Sequence, residues 1–267
     1  MAAPETLETL ELVRADGVAT ITLSRPAALN AWNERLAVEL ASVIGRLAGE
    51  ETVRSVLITG QGRAFSAGAD VAEGFPRGAD GSWDIHTRLV GVHHPIITGI
   101  RELPKPVVAA VNGPAAGIGC SLALACDLVV AAESAYFMLA FVKIGLAPDG
   151  GASAFVASRA GLGRGLEMAL LGEAVPARKA LEWGLANSVV PDAELAASAA
   201  ALAARLAAGP TLAYAAAKRE FNAWAYGQLR EQLALEADEQ QLLAASHDNA
   251  EGVAAFVGKR PALFTGR

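Results

Sequence analysis

The sequence predicts an α/β protein in which parallel strands alternate with helices. Short apolar runs rich in β-branched residues, such as 18–23 and 54–59, flank a segment with helical spacing at 33–48. Apolar residues make up 53% of the 267 residues and charged residues 19%, which excludes global disorder. After residue 192 alanine dominates and β-branched residues become rare. We therefore expect an α/β core in residues 1–192 and a helical region in residues 193–267.

The elements of the core follow from local signals. Asp16-Gly17 between two β-rich runs is typical of a hairpin turn. Pro95 interrupts a helical pattern, and because proline lacks an N–H it is expected to kink the helix or start a new turn. The predicted elements are strands at 10–13 and 18–23, a helix at 33–48, a strand at 54–59, a glycine-rich loop at 63–80, a helix at 83–102, a strand at 107–111, a helix at 115–126 and a strand at 127–132.

Four helices are predicted in the last region. Gly209-Pro210 separates the first two, since proline is favoured in the first turn of a helix. The apolar stripes on these helices are wider than a single chain would be expected to bury by itself. We therefore expect copies of the chain to associate with one another. The four helices are expected at 193–208, 210–224, 228–245 and 249–258.

Charge and cysteine content restrict the class of protein. Lys and Arg number 22 against 28 Asp and Glu, and this balance of −6 argues against broad nucleic-acid binding. Cys120 and Cys126 are the two cysteines, both in an apolar run, so we expect reduced, buried thiols. The N-terminus shows no signal-peptide pattern, and 107–130 contains polar residues that disqualify it as a membrane span. The expected protein is cytoplasmic, without a membrane or nucleic-acid partner.

Two glycine-rich loops carry the chemical signal. Each follows an apolar strand: Arg63–Asp70 reads RAFSAGAD and Asn112–Ser121 reads NGPAAGIGCS. Small residues let a ligand approach backbone N–H groups, and a helix N-terminus directs such groups at negative charge. Side by side, the two loops predict a two-donor hole for a developing oxyanion, while each alone is equally compatible with a tight structural turn. A dinucleotide-binding motif is excluded because Leu122 replaces its third glycine.

The two loops resemble those of the enoyl-CoA hydratase/isomerase (crotonase) family, which typically read AFxAGAD and NGxxxGGGxxL. The resemblance implies a crotonase-like spiral of ββα units in residues 1–192, with the coenzyme A site and the oxyanion hole, and a C-terminal helical trimerisation region in residues 193–267. It also implies an acyl-CoA thioester as substrate, no cofactor beyond the coenzyme A of that substrate, no metal, and a homotrimer or dimer of trimers. The likeness extends to LSRP at 23–26, PKPV at 104–107, LEWGL at 181–185 and EGVAAFVGKR at 251–260.

The resemblance also implies the binding residues. It assigns the oxyanion hole to the backbone N–H groups of Ala67 and Ile118, and the Ile118 side chain must then point away or line the acyl pocket. Arg25 and Lys259 are candidate contacts to the phosphates of coenzyme A, although either is also compatible with a solvated surface charge. Phe256 is expected near the pantetheine or adenine. The other expected substrate contacts are Ala28, Ser66, Gly68, Ala69, Asp70, Gly117, Ser121 and Phe141.

The acid/base residues favour an isomerase. Ser121 and Phe141 occupy the positions at which a typical hydratase of the family has its two glutamates. Asp149, in a Gly-Leu-Ala-Pro-Asp-Gly-Gly turn, matches instead the acid of isomerase members, and the resemblance is closest to the phenylacetate-pathway ring-epoxide isomerase and Δ3-Δ2-enoyl-CoA isomerases. One carboxylate can remove a proton at C2 and return it at C4 while two N–H groups hold the enolate. An aspartate before Gly-Gly is also an ordinary turn residue.

Other readings stay open. Aryl-CoA dehalogenase members of the family combine a histidine, a tryptophan and a nucleophilic aspartate. His94 and Asp149 match two of these three positions, but Phe141 stands in place of the tryptophan. A weak hydratase and a non-catalytic acyl-CoA-binding protein are further alternatives. His93 and His94 point to different faces of a helix and make a poor metal site. Asp70 is expected to cap a helix after the first loop, and Asp127 to be a buried hydrogen-bonding or ion-pairing residue. The segment 74–100 is expected to form one wall of the acyl pocket.

Overall fold

The computed structural model describes residues 4–71, 73–74, 77–78 and 83–267, which form a seven-stranded and a three-stranded sheet. The larger sheet contains, from edge to edge, β1 (Glu5–Thr6), β2 (Leu10–Ala15), β3 (Val18–Leu23), β4 (Ser55–Gly60), β5 (Val107–Val111), β7 (Leu128–Ala132) and β10 (Ser188–Val190). The smaller sheet contains β6 (Pro114–Ala116), β8 (Tyr136–Met138) and β9 (Val175–Pro176). Pairing is antiparallel from β1 to β3 and parallel from β3 to β10.

Helices cover the sheets and make up the last part of the chain. They are α1 (Glu34–Gly49), α2 (Ile85–Arg88), α3 (His94–Glu102), α4 (Ile118–Ala125), α5 (Ala152–Ala160), α6 (Leu162–Leu171), α7 (Ala177–Glu182), α8 (Leu195–Ala208), α9 (Thr211–Ala225), α10 (Leu229–Ala244) and α11 (His247–Val257). Short 3-10 helices occur at Pro26–Ala28, Ala140–Ile144 and Asp192–Glu194, and Leu89–His93 is π-helical.

The parallel part of the sheet confirms the predicted α/β class. Strands β4 and β5 carry almost unbroken apolar runs and are buried on both faces, as is typical of parallel strands covered by helices. The predicted hairpin is also confirmed, since Asp16 (φ 51°) and Gly17 (φ 79°) form the two-residue turn between β2 and β3. Positive φ at both positions gives the turn the twist that suits an antiparallel pair.

Two predicted helices differ from the structure. The helix expected at 115–126 begins at Ile118, because residues 114–116 pair with β8 and Gly117 (φ 51°) turns the chain. The helix expected at 83–102 begins at Ile85 and passes through the π-helical stretch. There the N–H of His94 bonds to the carbonyl of Leu89, five residues back, immediately before Pro95. The missing N–H of that proline accounts for the irregularity at this point.

One hydrophobic core joins the two predicted regions. Ala199 and Ala203 of α8 and Leu233 of α10 are buried in the same cluster as the central strands. Helix α10 also packs against α2 and α5, and α11 packs against the 3-10 helix 140–144. The boundary at residue 192 stays a prediction, but the helices beyond it are part of the structure that surrounds the site described below.

Helix α4 is buried along all eight of its residues and explains the state of the cysteines. Cys120 lies within it and Cys126 directly after it; both thiols are free and buried, as expected, and burial raises the pKa of each to about 12. In the described ranges no single helix is long and apolar enough to cross a membrane. The segments Asp192–Ala208 and Thr211–Ala225 would reach that length and composition only as a pair, and a bend of 105° separates them.

Candidate active site

A mostly apolar cavity of about 170 Å³ lies between the two glycine-rich loops, the α2–α3 segment and the C-terminal helices. Its wall at Ile85, Leu89 and His93 agrees with the expectation for the segment 74–100. Nine of the residues predicted for the site line it: Ala67, Gly68, Ala69, Asp70, Gly117, Ile118, Phe141, Asp149 and Phe256. The lining residues that the sequence analysis did not anticipate include Trp32, Met138, Lys143 and Gln240; Arg88 and His93 lie in the predicted wall segment but were not singled out as site residues.

The two loops lie against each other, as the sequence predicted. The N–H of Ser66 bonds to the carbonyl of Pro114 at 3.0 Å, and the N–H of Ala116 bonds back to the Ser66 carbonyl at 2.9 Å. A Cβ on Gly68 (φ 97°) would lie 2.9 Å from the Ala116 carbonyl oxygen, so a side chain there would push the loops apart. Glycine at this position therefore lets both loops present backbone to the same cavity.

Two backbone donors face the cavity, and one of them differs from the prediction. The N–H of Ala67 bonds to the Leu29 carbonyl at 2.9 Å and is therefore used inside the protein. The N–H groups of Ala69 and Ile118 have no acceptor among the residues that the structure describes, and both residues line the cavity. Ile118 is the first residue of α4, where unpaired N–H groups and the helix dipole favour a negative ligand. The available pair of donors is thus Ala69 and Ile118.

Asp149 reaches this cavity through a turn that only glycine permits. A Cβ on Gly150 (φ 64°) would lie 2.3 Å from Cδ1 of Ile118, so the turn packs directly on the residue that carries one of the free donors. The Asp149 side chain is 8% exposed. Its Oδ2 accepts a hydrogen bond from Nε2 of Gln240 at 3.3 Å, whereas its Oδ1 has no partner in the described part of the chain.

The surroundings of Asp149 disfavour its charged form. Burial, and next the nearby Glu236 carboxylate, raise the pKa of Asp149 well above its ordinary value. Glu236 is held in place because it accepts hydrogen bonds from the N–H of Gly151 at 2.7 Å and of Ser153 at 3.2 Å. Burial raises the pKa of Glu236 as well. A carboxylate with a raised pKa and a free oxygen is a stronger base than a solvated aspartate.

Three predicted substrate contacts lie outside the cavity. Ser121 is fully buried, and its Oγ donates to the backbone carbonyl of Asp149 at 2.7 Å, so it supports the turn. The Oγ of Ser66, also fully buried, donates to the Asn30 carbonyl at 2.9 Å and supports the first loop. Ala28 is half-buried in the 3-10 helix Pro26–Ala28 and is absent from the cavity wall formed by the described residues.

Neither residue predicted to contact the coenzyme A phosphates lines the cavity. The Arg25 guanidinium pairs with Asp70 and with Glu73, each at 2.9 Å, and so it braces the first loop. Asp70 therefore serves as the partner of Arg25; the capped helix expected after it is not found in the described residues, where α2 has Asp84 as its own cap. Lys259 is exposed and lies outside the cavity wall, to which Arg88 and Lys143 contribute the positive charges among the described residues.

The two adjacent histidines occupy different surroundings. His93 lines the cavity, whereas His94, the position singled out by the dehalogenase pattern, does not line it. Burial lowers the pKa of His93 to about 3 and that of His94 to about 4, so both rings are neutral near pH 7. Within the described ranges, no three His, Cys, Asp or Glu side chains form a cluster suited to a metal ion.

Asp127 forms an ion pair, as the sequence analysis expected, although its side chain is 19% exposed and therefore only partly buried. Its Oδ1 lies 3.1 Å from Nη1 of Arg101, and its Oδ2 lies 2.7 Å from Nζ of Lys218. The same Oδ2 accepts the N–H of Val107 at 2.8 Å. This carboxylate therefore ties α3, β5 and α9 together and takes no part in the cavity.

Comparisons with known proteins agree with this architecture. Residues 14–267 match the family model described as enoyl-CoA hydratase/isomerase. A probable enoyl-CoA hydratase of Rhodobacter capsulatus is 44% identical over 94% of this chain and 96% of its own. The 1,2-epoxyphenylacetyl-CoA isomerase of Escherichia coli is 41% identical over the same shares of the two chains. The crystal structure of an enoyl-CoA hydratase from Mycobacterium avium subsp. paratuberculosis superposes with a TM-score of 0.88 at 41% identity, covering 97% of this chain and 100% of that one.

Proposed function

This chain belongs to the enoyl-CoA hydratase/isomerase family, and we propose that it is an acyl-CoA isomerase that shifts a proton, and with it a double bond, through an enolate. One observation carries the proposal: among the described residues, the buried carboxylate of Asp149 lines the same cavity as Ala69 and Ile118, whose N–H groups have no acceptor there. The crotonase-like fold is shared by hydratases and isomerases, so the choice between the two reactions rests on these side chains and not on the fold.

The proposed reaction needs one base and one oxyanion hole. The thioester carbonyl accepts hydrogen bonds from Ala69 and Ile118, and the ionised Asp149 removes a proton from C2 of a 3-enoyl group. The electron pair moves into the dienolate, whose negative oxygen the two N–H groups stabilise. Asp149 then returns the proton to C4, which leaves the double bond between C2 and C3 and restores the carboxylate. An epoxide-bearing acyl thioester can react through an enolate held by the same two N–H groups, with Asp149 as the base.

Hydration would require a different set of side chains. Addition of water to an enoyl thioester calls for two acid/base groups around one water molecule. Phe141 presents an apolar ring to the cavity, and the Ser121 hydroxyl is bonded to the Asp149 carbonyl. Each absent acid/base group is typically worth about 10²–10⁴-fold in rate. We therefore expect feeble hydration.

Coenzyme A would lie along the exposed side of the cavity. Phe256 is 61% exposed and lines the cavity, which suits contact with the pantetheine or the adenine. Lys143 is exposed and Arg88 half-buried, and we propose these two for the phosphates in place of Arg25 and Lys259. Arginine and lysine side chains bind phosphate groups through charge-assisted hydrogen bonds.

The test of the proposed function compares two substrates. Conversion of trans-3-hexenoyl-CoA is followed by the absorbance of the conjugated thioester, and hydration of crotonyl-CoA is followed by the loss of that absorbance. We expect turnover of the first and slow hydration of the second. Hydration on the order of 10³ per second would contradict the proposal. No reaction with any enoyl or aryl thioester would favour a binding protein without turnover.

We also propose that the chain forms a homotrimer or a dimer of trimers. Helix α9 exposes Leu212 (87%), Phe221 (70%) and Trp224 (86%), which is a large apolar surface for an isolated chain. Sedimentation at micromolar concentration is expected to show multiples of three chains. A single species at the mass of one chain, 27.4 kDa, would contradict this proposal.

A further inference from the structure

Two polar side chains in the wall of the cavity lack hydrogen-bond partners. Trp32 is 2% exposed and His93 6% exposed, and both line the cavity. Neither Nε1 of Trp32 nor either ring nitrogen of His93 has a partner among the described residues. The two rings touch edge to face, with centroids 5.3 Å apart and planes at 81°. The two rings that carry the unpartnered nitrogens therefore contact each other in the cavity wall.

Such a pair of rings is costly unless a ligand completes it. A buried polar group without a partner destabilises the folded protein, and native proteins keep few of them. Packing alone would not require a ring that carries a polar nitrogen at either position. His93 also ends the π-helical stretch Leu89–His93, and single-turn π-helices occur frequently at functional sites.

The chemistry of the two rings defines what they would bind. The indole Nε1–H of Trp32 only donates, and a neutral imidazole donates from one nitrogen and accepts at the other. His93 is neutral near pH 7, because burial lowers its pKa to about 3. Two neutral donors and one neutral acceptor in an apolar wall match an uncharged oxygen atom, such as that of a hydroxyl, an ether, an epoxide or a ketone.

We propose that Trp32 and His93 form a subsite that binds an uncharged oxygen on the acyl chain, so that the preferred substrates are oxygen-bearing acyl thioesters rather than plain hydrocarbon ones. This inference rests on the proposed function, because it places the acyl group in the same cavity. The subsite determines specificity and takes no part in the proton shift. Discrimination of this kind is strong where a site is built to hydrogen-bond its ligand, since the analogue without the oxygen leaves buried polar groups unpaired.

Binding of unreactive ligands tests the subsite separately from catalysis. Saturated acyl-CoAs with one hydroxyl at C5, C6, C7 or C8 are each compared with the analogue in which a methyl group replaces the hydroxyl. Dissociation constants are measured for the wild-type protein, for His93→Phe, and for the matched control His94→Phe, whose side chain lies outside the cavity wall. Isomerisation of trans-3-hexenoyl-CoA is followed in parallel with all three proteins.

The wild-type protein is expected to bind at least one hydroxyacyl-CoA about tenfold or more tightly than its methyl analogue. His93→Phe is expected to abolish that preference while the methyl analogues bind about as tightly as they bind the wild type, and His94→Phe is expected to keep the preference. The inference is overturned if no hydroxyl position is preferred, or if His93→Phe weakens both members of each pair alike, as an edge-to-face packing pair without a ligand role would. Loss of the proposed function would appear separately, as wild-type protein that does not convert trans-3-hexenoyl-CoA.

Discussion

Asp149 and Asp127 are both largely enclosed by protein, yet the structure treats their carboxylates in opposite ways. Asp127 has two cations and a backbone N–H within hydrogen-bond distance, from Arg101, Lys218 and Val107. Asp149 has one long hydrogen bond from the neutral Gln240, one unpartnered oxygen, and the like charge of Glu236 nearby. Cationic hydrogen-bond partners stabilise the charge of an enclosed carboxylate and fix it as a structural contact. A buried carboxylate without such partners has a raised pKa and can accept a proton from a substrate.

The comparison also shows where each carboxylate has its effect. The Asp127 pairs hold three elements together, so its loss should appear in the free energy of unfolding. Asp149 faces the cavity and its charge is unfavourable in the folded chain, so its loss should appear in turnover and should even stabilise the protein.

The largest effect on stability is expected for Asp127→Asn. The substitution leaves Arg101 and Lys218 without their countercharge inside the protein, and breaking a buried pair in this way costs about 3 kcal/mol or more. Thermal unfolding should show Tm lowered by several degrees, while kcat per folded molecule stays near the wild-type value. Unchanged Tm would mean that the ion cluster adds no net stability.

A smaller effect, on the pH profile, is expected for Glu236→Gln. Asp149 must be ionised to act, so the rate rises with pH through its pKa, and that limb lies above the ordinary aspartate range because the pKa is raised. Removing the Glu236 charge should lower the pKa of Asp149 and move the limb to lower pH. The matched control is Glu239→Gln, since Glu239 is exposed on the same helix. If the rising part of the pH–rate profile stays at the same pH in both variants, Glu236 does not raise the pKa of Asp149.

The smallest effect is a stabilisation by Asp149→Asn. When the pKa of a carboxyl group is higher in the folded chain than in the unfolded chain, the folded protein loses stability as the pH rises from the unfolded-state pKa through the folded-state pKa. The amide removes that cost, so Tm at pH 8 should rise. The gain should vanish near pH 4, close to the free aspartate value of about 3.9. A lower Tm at pH 8 would contradict an unfavourable charge at Asp149.

Local sequence signals predicted most of the sheet and the helices. Asp16-Gly17 identified its hairpin, and the apolar run 107–111 coincides with β5. The three-residue strand β6 was missed because its pairing with β8 is a long-range contact that leaves no periodic pattern in so short a segment. The π-helical stretch was missed for a related reason: Pro95 signals an irregularity but does not say which carbonyl the neighbouring N–H will use.

The sequence identified only those site residues that lie within a local motif. Asp149 and Ile118 were assigned because their motifs resemble those of the family, and both line the cavity, whereas the first donor was assigned to Ala67, two residues before the Ala69 N–H that is free among the described residues. Which N–H of a glycine-rich loop stays free depends on its partners, here the Leu29 carbonyl, and sequence does not show them. Gln240 lies 91 residues from Asp149 along the chain, so the contact between them is set by packing of α10 and has no local signal.

The most direct test of the account is single-turnover isomerisation of trans-3-hexenoyl-CoA by Asp149→Asn, with Ser121→Ala as control. The affinity of each variant for a saturated acyl-CoA is measured alongside. Asp149→Asn should bind as the wild type does and lose about 10²–10⁴-fold in rate, roughly 3–5 kcal/mol of transition-state stabilisation. Ser121→Ala should lose far less, because its hydroxyl only supports the Asp149 carbonyl. Near-wild-type turnover by Asp149→Asn, together with loss of turnover in Ser121→Ala or His94→Ala, would contradict the assignment of Asp149 as the base.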